Sequence, residues 1–316
     1  FVWIKNRGAT GHHMIFDEVR DTGDLLYSNL TSAELAAGSN GHLEAFGSDG
    51  FTLGDNSGVG SSNGSSETYV AWCWKAGTTS GISTASQSIT PSAYSINSTS
   101  GFGIYKFTGT GSAGTIAHGL GVAPKVVITK NLSSSTNWPF LHSNYTSGAG
   151  ALDENTAFSG SFSDYFNAVP TSTLINIGTT DGANKSSDAI IMYAFAEKQG
   201  YSKFGKYTGN GNVDAPFLFC GMLPSFLMIK RTDTTSNWVI FDNKRGSYNE
   251  INNSLYPNSN GAEDTDTSLD DVDFVSNGVK IREDSPNINA SGGTYVYMAF
   301  AEAPFVNSKG VPCNAR

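Results

Sequence analysis

The chain has 316 residues, of which only 15% are charged while 36 are glycine, against a charged share of about a quarter in ordinary globular domains. A net charge of −9 with no basic face argues against nucleic acid or an anionic membrane as partner, and no apolar run is long enough to cross a bilayer. Cys73, Cys220 and Cys313 are too few and too far apart for a disulfide framework or a zinc pattern, so they read as unpaired thiols of a chain assembled in a reducing cytoplasm.

The elements follow in order. Phe1-Val2-Trp3-Ile4-Lys5, Ile15-Phe16-Asp17, Gly50-Phe51-Thr52-Leu53 and the run from Tyr69 to Lys75 are short apolar segments between turn residues, which is the signature of strands. Residues 76 to 105 carry no charge and are rich in Ser, Thr and Gly, as a flexible linker is; Ile89, Tyr94 and Ile96 have strand character, so part of this connector suits pairing with a sheet edge. Strands are then predicted at Gly103–Thr108, Thr115–His118, Lys125–Lys130, Trp138–His142, Thr173–Ile177 and Ala189–Glu197. They are rich in Val, Ile, Phe and Tyr, and the last is apolar on both faces, as a central strand is. Gly121-Val122-Ala123-Pro124 and Gly221-Met222-Leu223-Pro224 read as turns leading into strands. No long stretch has helical periodicity.

The pattern then repeats. Lys106-Phe107-Thr108-Gly109 returns as Lys206-Tyr207-Thr208-Gly209, Asn137-Trp138 as Asn237-Trp238, and Ala194-Phe195-Ala196-Glu197 as Ala299-Phe300-Ala301-Glu302. The first segment is a third copy, with Phe1–Lys5 matching Phe226–Lys230, Ile15-Phe16-Asp17 matching Ile240-Phe241-Asp242, and Tyr69-Val70 matching Tyr295-Val296. It lacks the part equivalent to residues 101–125 and starts without Met, which reads as the carboxyl-terminal piece of a longer polypeptide. The expected fold is all-β: tandem β-sandwich repeats of jelly-roll or concanavalin-A-like type, stacked along the chain. The expected organisation is a truncated first repeat at 1–77, a connector at 78–100, a second repeat at 101–199, a third at 200–305 and a tail at 306–316.

A residue that performs chemistry in the unit should recur between copies. His118 faces Leu218, His142 faces Asp242 and Asp17, and His12, His13 and His42 have no histidine counterparts. No nucleophile, base and carboxylate set recurs, so the reading is of a protein that is not an enzyme, with no catalytic residues, cofactor or metal. What recurs is structural: Trp138 and Trp238 inside apolar strands, as packed rings rather than sugar platforms, and Lys5, Lys130 and Lys230 at strand ends, expected as solvated edge charges. The acidic run Glu263, Asp264, Asp266, Asp270, Asp271 and Asp273 departs from an EF-hand. It is expected as a solvated loop, with a calcium site as the alternative. Tyr145, Tyr165, Phe166, Tyr248 and Tyr256 fall between predicted strands. Of these, Tyr145, Tyr165, Tyr248 and Tyr256 are the candidate glycan- or receptor-binding residues; packing under their own loops is the alternative.

Tyr69-Val70-Ala71-Trp72-Cys73-Trp74-Lys75-Ala76-Gly77, His118-Gly119-Leu120-Gly121-Val122-Ala123-Pro124, Tyr201-Ser202-Lys203-Phe204-Gly205 and Met298-Ala299-Phe300-Ala301-Glu302-Ala303-Pro304-Phe305 resemble segments of marine bacteriophage tail and tail-fibre proteins, as does the ending Pro312-Cys313-Asn314-Ala315-Arg316. The resemblance covers nearly the whole chain and implies concanavalin-A-like sandwich repeats in a structural protein of the virion surface, assembled in the host cytoplasm. A tail fibre or appendage would attach to a host-surface glycan or protein and contact other virion proteins. It would be a homo-oligomer, as a trimer, with no nucleic acid bound and no membrane insertion. The resemblance carries over no binding residues. A capsid decoration or head-fibre protein and a polysaccharide depolymerase remain the alternatives, the latter requiring a carboxylate pair in a groove.

Overall fold

The apolar runs pair into antiparallel sheets that fall into three groups, one for each copy. The computed structural model describes residues 1–36, 42–54, 62–246, 249–266 and 270–302. In the first copy, β1 (Val2–Asn6), β2 (Met14–Phe16), β3 (Leu26–Tyr27) and β6 (Tyr69–Cys73) form a sheet ordered β3-β2-β1-β6, and β4 (Leu43–Phe46) pairs with β5 (Phe51–Leu53). The connector supplies β7 (Ala93–Asn97), which joins the edge of the second copy's sheet through β8.

The second copy contains β8 (Phe102–Thr108), β9 (Gly114–Ala117), β10 (Pro124–Asn131), β11 (Pro139–His142), β12 (Tyr145–Ala151), α1 (Phe162–Phe166), β13 (Leu174–Ile177), α2 (Asp181–Asn184) and β14 (Ala189–Ala196). Its main sheet runs β12-β11-β10-β14-β8-β7, and β13-β9 forms a second layer. Tyr105, Phe107, Ile116, Val127, Ile175, Ile177, Ile190 and Met192 fill the space between the layers, which is the sandwich anticipated. The third copy contains β15 (Ser202–Thr208), β16 (Phe217–Phe219), β17 (Phe226–Arg231), β18 (Trp238–Asp242), β19 (Val272–Val275), β20 (Gly278–Ile281) and β21 (Thr294–Phe300). Its sheets are ordered β15-β21-β17-β18 and β16-β20-β19. β14, apolar on both faces, is central and buried along nearly its whole length. Gly121 and Gly221 have φ of 76° and 68°, a left-handed conformation that glycine adopts without strain, and each lies just ahead of the proline that leads into a strand.

The copies are not strung out along the chain. They close into a ring, because each makes the same contacts with its neighbour. The backbone N–H of Thr136 donates to the carbonyl of Thr31, that of Ser236 to Asn155, and that of Gly11 to Asn260, at 2.8–2.9 Å. In return Glu34 N–H donates to Leu132, Phe158 N–H to Thr232, and Glu263 N–H to Arg7, at 2.8–3.0 Å. The second copy thus docks on the first, the third on the second and the first on the third. The inner sheet faces meet in one core on the pseudo-threefold axis. Trp74, Phe195 and Phe300, which are equivalent in the three copies, pack edge-to-face with centroids 5.9, 5.4 and 5.7 Å apart, the arrangement that aromatic quadrupoles favour. Each sheet has an apolar inner face as well as its own second layer, and the axial core is where those inner faces are removed from water.

Candidate functional site

The residues that recur in the sequence converge on the three junctions. Trp138 and Trp238 are buried, and each indole N–H reaches the preceding copy: Trp138 donates to the carbonyls of Tyr27 and Leu30 (3.1 Å each), and Trp238 to that of Ala151 (3.0 Å). His13 occupies the same position in the first copy, and its Nδ1 accepts from the indole N–H of Trp3 at 3.1 Å. Asn29, Asp153 and Asn258 are a matching set, whose side-chain oxygens accept the backbone N–H of His13, Trp138 and Trp238 at 3.1, 2.8 and 3.0 Å. Burial pushes Asp153 up to about 6, against the pull of its hydrogen bond from Trp138.

Lys5, Lys130 and Lys230 correct the expectation of solvated edge charges: all three are 0% exposed. Their strands lead into the junctions, where backbone carbonyls converge on each ammonium. Lys130 Nζ donates to Thr31 of the first copy and to Thr136 at 2.8 and 2.5 Å. Lys230 Nζ donates to Asn155 of the second copy at 3.3 Å and to Arg231 and Ser236 at 2.8 Å. Lys5 Nζ donates to Asn6 and Ala9. Desolvation brings Lys5 and Lys130 down to about 8 and Lys230 to about 7. The one signal in the sequence is that a lysine recurs at the same place, beside apolar residues, in all three copies.

A third set of equivalent positions differs in chemistry. In the first copy Asp17, Arg20 and Glu34 form buried ion pairs of 2.6 and 3.0 Å. In the third, Asp242, Arg245 and Glu263 do the same at 2.6 and 3.0 Å. In the second copy the whole triad is replaced by His142, Tyr145 and Phe158, with the Tyr145 and Phe158 rings edge-to-face at 5.5 Å. The first member of each triad also crosses to the last strand of the next copy. Asp17 accepts from Tyr193 OH (2.7 Å), Asp242 from the Trp72 indole (3.0 Å), and His142 Nε2 donates to the carbonyl of Tyr297 (3.1 Å). Burial holds His142 down at about 4. His118 is likewise buried between Thr171 and Leu120.

Of the four candidate tyrosines, Tyr145 opens β12 rather than lying on a loop, and fills the position of Arg20 and Arg245. Tyr165 lies half-buried on α1, packed beside the second copy's core. Tyr256 packs against the axial core and its hydroxyl contacts Ser254, Asp264 and Asp270 at 3.1–3.3 Å. Tyr248 lies outside the described residues. Tyr145 and Tyr165 lie on the second copy and Tyr256 on the third, and these three rings pack against their own surroundings. Among the described residues most of the acidic run is tied into the fold, with Asp270, Asp271 and Asp273 buried and Asp266 exposed. Glu263 bridges Arg7 and Arg245 at 2.8 and 3.0 Å, and Asp270 accepts from Ser285 and Asn287. Among the described residues no three His, Cys, Asp or Glu side chains are grouped as metal ligands.

The junctions join all three copies around one shared core, and a family model described as a domain of unknown function (DUF7483) matches residues 1–304. The chain belongs to this DUF7483 family. The matched stretch encloses all three copies of the DUF7483 ring. No curated protein and no solved structure matches the chain.

Proposed function

We propose that this DUF7483 chain is a structural, non-enzymatic component of a phage particle, a tail fibre or appendage whose ring presents loops to a host-surface glycan or protein. The observation that carries the proposal is how the recurring residues are used: the Trp, Lys and Asx positions that the copies share lie in junctions that hold the copies in a ring. A rigid ring of this kind holds unlike loops at fixed spacing, and several rings on one particle would amplify weak contacts. Further copies of the chain and other virion proteins are the assembly partners in this reading, and the resemblance to phage tail proteins supports it.

The test has two parts. Imaging of labelled particles is expected to place the chain on the tail or an appendage; labelling spread over the head lattice would favour the decoration role. Purified ring is expected to bind a host-surface preparation and to compete with particle adsorption, and Tyr165→Ala, which also removes packing beside the second copy's core, should weaken binding at a temperature where its melting curve shows the variant still folded. A ring that neither binds nor competes would refute attachment.

A further inference from the structure

The three copies differ at one place that the junctions do not explain. In the second copy, β14 carries β10 on one edge and β8 on the other, in register from Ala189↔Thr108 to Phe195↔Phe102. In the third, β21 carries β17 and β15 in the same way, from Ser202↔Phe300 to Thr208↔Thr294. In the first copy the equivalent strand, β6, pairs with β1 alone, and among the described residues no strand lies on its other edge. Exposure follows the pairing: Ala194 and Ala299 are 0% exposed, whereas the equivalent Cys73 is exposed.

A groove runs beside this edge, floored by Trp72, Trp74, Phe226 and Phe300 and bordered by Lys244 and Glu302. The other two copies show what lies at this place. Phe102 packs on Phe195 at 4.9 Å and Phe204 packs on Phe300 at 5.6 Å, and Asn144, the counterpart of Lys244, donates to the carbonyl of Phe204 at 3.1 Å. Apolar floor and unpaired ladder are thus both continuous with the ring's own construction.

We propose that β6 is a strand-docking edge completed by one more first strand of this repeat class. That strand is an extended segment with the aromatic-rich, Lys-aromatic-Thr-Gly pattern that β8 and β15 share, lying antiparallel to β6 with an aromatic ring over Trp74. Main-chain hydrogen bonds supply the affinity, and the aromatic floor selects the sequence. An unpaired edge is also where sheets associate wrongly, so the bound strand protects the ring from self-association.

The test uses the full chain and a fluorescent peptide of the sequence Tyr201–Asn210. Binding is expected by anisotropy, with exchange slowed by about tenfold or more at those amides of residues 69–73 that face away from β1. The same peptide carrying Lys203→Pro and Phe204→Pro, which loses a ladder donor whichever residue faces β6, should bind at least about tenfold more weakly. Equal binding of the two peptides, or no binding to the full chain, overturns the proposal. Binding that appears only after removal of residues 303–316 would assign the edge to that segment instead, and would overturn it too.

Discussion

Lys230 is the place to test whether the junction lysines are buried cations. Its ammonium is 0% exposed and held by three carbonyls, and desolvation lowers it from 10.5 to about 7. The unfolded chain keeps the ordinary value, so between pH 7 and 10.5 it binds more protons at this site than the folded ring does. Stability therefore rises with pH across that window, by up to ~1.4 kcal/mol per pH unit and ~4 kcal/mol in all for this one residue. Lys5 and Lys130, lowered to about 8, add to the slope above pH 8. Lys230→Met keeps the aliphatic stem and removes the titration. It also leaves the carbonyls of Asn155, Arg231 and Ser236 without their donor, at roughly 1–3 kcal/mol for a buried unsatisfied group. The variant is then expected to be only modestly weaker than wild type near pH 7 and to fall further behind by pH 9.5. The assay is urea unfolding followed by tryptophan fluorescence at half-unit pH steps. A wild-type profile that is flat or falling between pH 7.5 and 9.5, or a variant with the wild-type slope, would refute the reasoning.

Other outcomes follow from the same contacts. His142, held down at about 4 by burial, contributes stability that is present above pH 6.5 and lost as pH falls toward 4; His142→Asn should flatten part of that acid limb. Tyr145→Arg places an unpaired cation beside Phe158 and should cost ~3–5 kcal/mol. Adding His142→Asp and Phe158→Glu, which rebuilds the triad of the first and third copies, should recover a large part of it in a mutant cycle read by chemical denaturation. Phe195→Ala at the axis should cost ~3–5 kcal/mol and lower a single melting transition. A calorimetric scan that instead resolves one copy melting alone would show that the copies are independent.

Much of the fold was legible from local chemistry. The strands of the second copy were predicted to within a residue or two, because alternation and β-branched content mark half-buried strands. β12 was missed: Tyr145–Ala151 is mostly small residues and has no apolar face of its own. α1 and α2 are too short for helical periodicity to register. The connector's pairing through β7 was visible in Tyr94 and Ile96. The ring was not, because a rotation between copies leaves no local pattern and shows only in which carbonyls meet Lys130 or Trp238. For the same reason the lysines looked solvated, since part of what encloses them comes from the neighbouring copy, as Thr31 does for Lys130 and Asn155 for Lys230. Tyr145 looked like a loop aromatic until its alignment with Arg20 and Arg245 gave it a structural counterpart.

Having all three junctions in one polypeptide has an evolutionary consequence. In an assembly of three identical chains any substitution is imposed three times, so a contact can change only if all its images tolerate the change. Here each image is encoded separately. The crossing contact has accordingly become Asp17 to Tyr193 in one place, His142 to a main-chain carbonyl in another and Asp242 to Trp72 in the third. Symmetry sets the architecture of the ring, while each junction is written in its own pair of residues.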